Sequence, residues 1–144
     1  MDKSKRYIAM CAAAAEIQKL WPRTYGDFYA MGDGRIECWL PQRHARRCIR
    51  QGFEVCRDGE VTRLTPFTWL PRQAQLIELA QVPGRRYDQT TQDYFNWAKS
   101  PYRTSDDLPV RLFDSMEKLW LAYVMDRRFF KRWDGEGWVR SLQR

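Results

Sequence analysis

Two arginine-rich segments hold the residue types best suited to chemistry in this chain. Arg43, Arg46, Arg47 and Arg50 fall at i, i+3, i+4 and i+7, so a helix over 42–51 would put all four on one face. A loop is the alternative there, because Gly52 comes soon after and Pro41 suits either state. The second segment, Arg85-Arg86-Tyr87, comes directly after Pro83-Gly84, where an exposed chain is expected. A guanidinium forks onto phosphate oxygens, and a tyrosine ring offers a face for a base. These seven residues together describe a site for an anionic ligand.

Other chemistries find less support. His44 is the sole histidine and sits among arginines. Cys11, Cys38, Cys48 and Cys56 form no CxxC pair, and their spacing around His44 matches no common zinc pattern. Buried thiols and no metal are therefore expected. Asp106-Asp107 is the obvious acidic pair, but neighbouring carboxylates in a loop are usually solvated or capping. No phosphate-binding glycine loop, GxSxG or HExxH is present. The expectation is a protein without enzymatic activity and without a cofactor.

Charge points the same way as the arginines. Twenty-five Lys and Arg against eighteen Asp and Glu give +7, a balance that favours anionic partners. No apolar run is long enough to span a membrane. The basic start, Met1 to Arg6, precedes a short apolar stretch, but Glu16 to Trp21 continues a helical pattern without a cleavage context. A cytoplasmic protein is expected.

The elements that must position these residues are legible in outline. Ser4 can cap a first helix over 4–21, ended by Pro22. Two hairpins come next, at 26–40 and 53–65; the second turns at Asp58-Gly59, a strong hairpin signal. Trp69-Leu70-Pro71 is expected to start a helix, with Pro71 in its first turn. Residues 85–90 read as a polar loop, 91–99 as a short helix, and 100–113 as the least regular stretch. A final helix begins at Asp114 or Ser115 and runs to about Phe130, with Met116, Leu119, Trp120, Tyr123 and Val124 on its apolar face. Asp134-Gly135 then turns the chain, so that Trp133 or Trp138 clamps back on that helix. The expected fold is α+β: a small antiparallel sheet of two hairpins packed with three or four helices, in one domain over 1–144. Trp39-Leu40-Pro41 and Trp69-Leu70-Pro71 are near copies, expected to be one kind of strand-to-helix joint used twice.

The segments Trp69-Leu-Pro-Arg-Gln-Ala-Gln-Leu76 and Met116-Glu-Lys-Leu-Trp-Leu-Ala-Tyr-Val-Met125, continued by Lys131-Arg-Trp-Asp-Gly-Glu-Gly-Trp138, resemble a family of small phage and prophage proteins. That family carries a WLPRQxQL helix start and a C-terminal MExLWLAxVM…KxWDGExW block, and has no agreed biochemical activity. The chain departs from it in having Ala74 at a position usually acidic, and Arg127-Arg128 where one basic residue is usual. The resemblance implies a phage accessory protein in the infected bacterial cytoplasm, of a kind that often counters host defence. Sequestering a nucleotide immune signal suits the arginine and aromatic content best. A nucleic-acid-binding module, or a protein–protein inhibitor of a host defence complex such as CRISPR machinery, is the alternative. A nucleotide-processing enzyme of unfamiliar type is a third reading, and self-association is left open.

Overall fold

Ser4 does cap the first helix. Its hydroxyl accepts from the Tyr7 amide at 3.2 Å, and helix α1 runs Lys5–Ala13. The computed structural model describes residues 1–40, 48–50, 53–55, 67–99 and 113–141. They divide into two compact units, residues 3–70 and residues 71–144 together with Met1 and Asp2. The architecture is α+β, with five helices and small antiparallel sheets among the described residues. No helix among them is long and apolar enough to cross a membrane.

In the first unit the expected single helix is split. After α1 the chain bends at Ala14 (φ −85°, ψ 68°) and resumes as α2, Ala15–Lys19. The alanine run would favour an unbroken helix, so tertiary contacts decide the bend. Gln18 donates from Nε2 to the Cys11 carbonyl at 3.0 Å and to the Trp69 carbonyl at 3.1 Å. Its Oε1 accepts from the Trp69 amide at 2.7 Å. One carboxamide thus covers both backbone groups of Trp69, as a neighbouring strand would.

Trp69 needs that cover because it lies on an edge strand. Strands β1 (Phe28–Ala30), β2 (Ile36–Cys38) and β5 (Thr68–Leu70) form an antiparallel sheet in the order β2-β1-β5. Tyr29 stands opposite Glu37 on one side and Trp69 on the other. The first expected hairpin is therefore present, but Trp69 and Leu70 are strand rather than the start of a helix. Pro71 ends the strand. Bulk at Thr68 and Trp69 suits a pleated surface, and backbone pairing to β1 and to Gln18 outweighs the helical reading of Pro71.

An aromatic cluster fills this unit. Trp21 lies edge-on to Trp39, with centroids 5.5 Å apart, and stacks on Trp69 at 6.4 Å. The two tryptophans of the repeated Trp-Leu-Pro motif thus meet on the same indole. The helix expected after Pro41 falls, over 41–47, outside the described residues. Asp27 is fully buried, and its carboxylate accepts from Trp21 Nε1 (2.9 Å), the Thr24 amide (2.9 Å) and the Thr24 hydroxyl (3.1 Å). Those donors offset the cost of desolvating the carboxylate.

Strands β3 (Cys48–Arg50) and β4 (Phe53–Val55) form a further antiparallel pair, with Arg50 opposite Phe53. This corrects the helical reading of 42–51 at its C-terminal end: Arg50 is in a strand. Helical i, i+4 spacing in a short basic segment cannot compete with Ile49 beside a Gly52 turn signal and a partner strand. The expected return strand after Asp58-Gly59 lies outside the described residues.

In the second unit, helix α3 (Gln73–Ala80) starts two residues after Pro71. Gln75 caps it by accepting from the Arg72 amide at 2.9 Å, and Leu76 and Ile77 are buried. Helix α4 spans Tyr87–Ala98, four residues longer at its start than expected. Gln89 makes the same capping bond to the Arg86 amide, at 3.0 Å. Helix α5 runs Met116–Phe129, capped by Ser115 accepting from the Lys118 amide at 3.3 Å. Phe130 ends it in a left-handed conformation (φ 55°).

Helix α5 is buried from Trp120 through Met125, more completely than a one-sided stripe requires. Tyr94 of α4 stacks on Trp120 with centroids 3.9 Å apart and planes 9° from parallel. Strands β6 (Lys131–Trp133) and β7 (Trp138–Arg140) form a closing hairpin. Within it Asp134 accepts from the amides of Glu136 and Gly137, and Trp133 is buried edge-on to Trp138. The clamp expected at the C-terminus is thus built around Trp133. Trp120→Ala should lower stability by about 3–5 kcal/mol, read as a fall in the chemical denaturation midpoint; an unchanged midpoint would contradict the packing role.

Lys118 is a buried charge in α5. Its ammonium pairs with Asp2 at 3.1 Å and with Asp114 in a short contact. Burial opposes its charge, but hydrogen bonds to Asp114 and Asp2 outweigh that, so its pKa lies above the ordinary lysine value of 10.5. The hydrogen bond from Lys118 likewise holds Asp114 below the usual carboxylate value of 3.8. A lowered folded-state pKa stabilises above the unfolded value and is lost as pH falls through the folded one. Lys118→Met should cost about 3–5 kcal/mol at neutral pH, because Asp2 loses its buried counter-charge. Urea melts should show the wild-type advantage shrinking once pH drops below about 4, where carboxylates protonate.

Candidate functional site

The corner between α3 and α4 holds Arg85, Arg86 and Tyr87, and its shape is set by one side chain. Gly84 takes φ +82°, and the Arg85 amide donates to the Val82 carbonyl at 3.0 Å. Gln81 donates from Nε2 to the Arg85 carbonyl at 2.5 Å and accepts from the Thr90 hydroxyl at 3.0 Å. Thr90 is buried in the first turn of α4, so Gln81 ties the corner to the helix beyond it.

From that corner Arg85 reaches along α4 and pairs closely with Asp93. Arg86 pairs with Asp88, Nε to Oδ1 at 3.2 Å and Nη2 to Oδ2 at 3.1 Å. Tyr87, the first residue of α4, is 58% exposed. The expectation of a loop over 85–90 is corrected: Gln89 supplies a cap that Arg86 lacks, and the helix starts at Tyr87.

Helix α5 contributes the other half of the site. Tyr123 is buried against Tyr94 and Trp97, edge-on to both. Burial pushes its phenol above the ordinary pKa, and Asp93 adds to this. The nearby charges of Arg127 and Arg85 act in the opposite direction. Arg127 stands one helical turn beyond Tyr123, on the same face of α5. Next to it, Arg128 donates to the Leu79 carbonyl in the last turn of α3 at 3.0 Å.

This arrangement can bind an anion with several oxygens. Arg85 presents guanidinium donors at the Asp93 carboxylate, and Arg86 adds a more exposed guanidinium. Both ion pairs at the corner are substantially solvent-accessible, with Arg85 and Asp93 side chains 52% and 39% exposed. Pairs of that kind contribute about 0–1 kcal/mol and open readily.

Of the residues expected to bind, Arg85, Arg86 and Tyr87 lie together in the second unit. Arg50 belongs to the first unit, and Arg43, Arg46 and Arg47 lie outside the described residues. Tyr25 is 71% exposed, but the neighbouring Arg23 is placed over the Trp21 ring, 5.8 Å from its centroid. His44, Cys56, Tyr102, Arg103, Asp106 and Asp107 are likewise outside the described residues. Cys11 and Cys38 are thiols rather than halves of a disulfide, and no group of three or more His, Cys, Asp or Glu residues could hold a metal among the described residues. Asp93 and Gln81 escape sequence reasoning, because neither belongs to a motif. Tyr123 with Arg127 had a visible signal in its i, i+4 spacing, but the tyrosine read as packing alone.

No protein-family model, no curated protein and no solved structure matches the chain. The corner must therefore be judged on its geometry. Gln81→Ala should cost about 1–3 kcal/mol by leaving the buried Thr90 hydroxyl short of a partner. Amide hydrogen exchange should quicken at 84–90 with α5 unaffected; equal exchange in both proteins would show that Gln81 does not hold the corner.

Proposed function

We propose that this protein binds a phosphate-bearing small anion, best fitted by a nucleotide, without turning it over. What supports the reading is the pair of accessible guanidinium groups at the corner, Arg85 on Asp93 and the more exposed Arg86, beside the exposed Tyr87. Guanidinium groups bind phosphate oxygens in pairs, and an exposed ring can stack on a base. The phage-protein resemblance gives this binding a purpose: sequestration of a nucleotide immune signal in the cytoplasm of an infected bacterium. Sequestration requires affinity and no catalytic group.

A second reading has its own support. Lys131 and Arg140 stand directly opposite each other in the closing hairpin, with Arg132 between Lys131 and Trp133. Arg127 and Arg128 precede them in the last turn of α5. These basic residues and the overall charge of +7 would suit the backbone of a nucleic acid.

Calorimetric titration with linear and cyclic nucleotides and with short DNA, at two salt concentrations, separates the readings. Nucleotide binding is expected, with a salt dependence shallower than that of DNA, and Arg85→Gln with Arg86→Gln should weaken it at least tenfold, by about 1.4 kcal/mol or more. Strong binding to DNA that falls steeply with salt would favour the nucleic-acid reading. The pair Arg46→Glu with Arg47→Glu reports whether the 43–50 arginines share the site. Wild-type protein that binds none of these ligands would refute anion binding and favour a protein–protein inhibitor.

A further inference from the structure

We propose that the open end of the closing hairpin is a stacking platform for single-stranded nucleic acid, with Phe130 as the ring on which an unpaired base lies. The inference rests on the nucleic-acid reading of the hairpin given above and deepens it by naming the kind of strand that fits.

Neither the backbone nor the core calls for a phenylalanine at this position. Phe130 ends α5 at φ 55° and ψ 42°, in the left-handed region that favours glycine. Its amide donates to the Asp126 carbonyl at 3.2 Å, a backbone bond that glycine would make as well. A ring packed inside the fold would offset the strain, but Phe130 is 53% exposed. Backbone strain without a packing return is found where a side chain has a partner to meet.

The surroundings of the ring define the chemistry of that partner. The Ser141 amide donates to the Phe130 carbonyl at 2.7 Å, which places Phe130 one rung beyond the facing pair Lys131 and Arg140. Arg127 and Arg128 lie in the last turn of α5, just before it. The acidic residues of the hairpin, Asp134 and Glu136, are at the opposite end, in the turn. Asp126 already accepts from Trp97 and Ser141. Basic charge is thus concentrated around one exposed ring. Phosphates complement the charge, and a base face complements the ring. A duplex offers phosphates but keeps its base faces within the stack, so the ring favours an unpaired strand. A membrane surface would require a wider apolar face than Phe130 and the 38% exposed Val139 provide.

The test is fluorescence anisotropy with a short labelled oligonucleotide, DNA or RNA, used single-stranded and annealed to its complement at fixed ionic strength. Wild type should bind the single strand more tightly than the duplex. Phe130→Gly and Phe130→Asn should weaken single-strand binding about tenfold or more, the scale of one base stacked on a ring, and duplex binding far less. Phe130→Trp should retain single-strand binding, and Arg132→Gln with Arg140→Gln should weaken binding of both forms. The urea midpoint of the Gly and Asn variants should hold or rise, because both residues tolerate left-handed backbone. Duplex bound as tightly as single strand, single-strand binding unchanged in Phe130→Gly, or a midpoint lowered in both variants would overturn the stacking role and leave the basic hairpin as a nucleic-acid surface. Wild type that binds neither form, or that binds anionic phospholipid vesicles instead, would refute the nucleic-acid reading itself.

Discussion

The stack of Tyr94 on Trp120 is the contact on which the candidate site depends. Two flat rings 3.9 Å apart and nearly parallel leave little freedom in the spacing or rotation of α4 on α5. Tyr123 and Trp97 close the group edge-on, an arrangement that aromatic quadrupoles favour by about 0.5–1.5 kcal/mol per pair beyond burial. With the helices held so, the residues at the margin of the stack have a set neighbourhood. Asp93, one residue before Tyr94, is held where Arg85 pairs with it. Arg85 is drawn to the same place from the corner that Gln81 pins. The polar cluster is thus a consequence of aromatic packing beneath it.

The same seam has a second polar closure. Trp97 donates from Nε1 to Asp126 at 2.9 Å, and the other oxygen of Asp126 accepts from the Ser141 hydroxyl at 3.0 Å. A single carboxylate at the end of α5 joins α4 to the strand that leaves the hairpin. Asp126 is thereby committed to structure, whereas Asp93, on the facing helix one turn before Trp97, is committed only to an exposed arginine.

Charge is divided by burial in a similar way. Asp27 and Lys118 are buried, and each is surrounded by the partners it needs. Among the described residues no arginine is buried. Guanidinium is weakly hydrated and keeps its charge at any working pH, so a surface rich in arginine holds a persistent attraction for anions. Lys118 shows that this chain can hold a cation inside when structure demands it; no arginine of the 85–87 corner is used that way.

Much of the scaffold was readable in the residues. Ser4 and Ser115 announced helix starts, because a hydroxyl before an apolar-periodic run has an unpaired amide to accept from. The glycines and aspartates of 31–34 and 134–137 announced turns. The α+β class came from alternation near 28–38 and helical periodicity near 116–129. Features set by a distant partner could not be read. The bend at Ala14, and the strand conformation of Trp69, both depend on the Gln18 carboxamide, which lies 51 residues from Trp69 along the chain. Arg50 is in a strand because Phe53 pairs with it, although its spacing to Arg43 was helical. The candidate site divides along the same line. Arg85, Arg86 and Tyr87 stood out by adjacency, a local property. The pairing of Arg85 with Asp93 was decided by tertiary structure, because the corner that Gln81 ties to Thr90 turns Arg85 back along a helix, which no motif in the sequence announces.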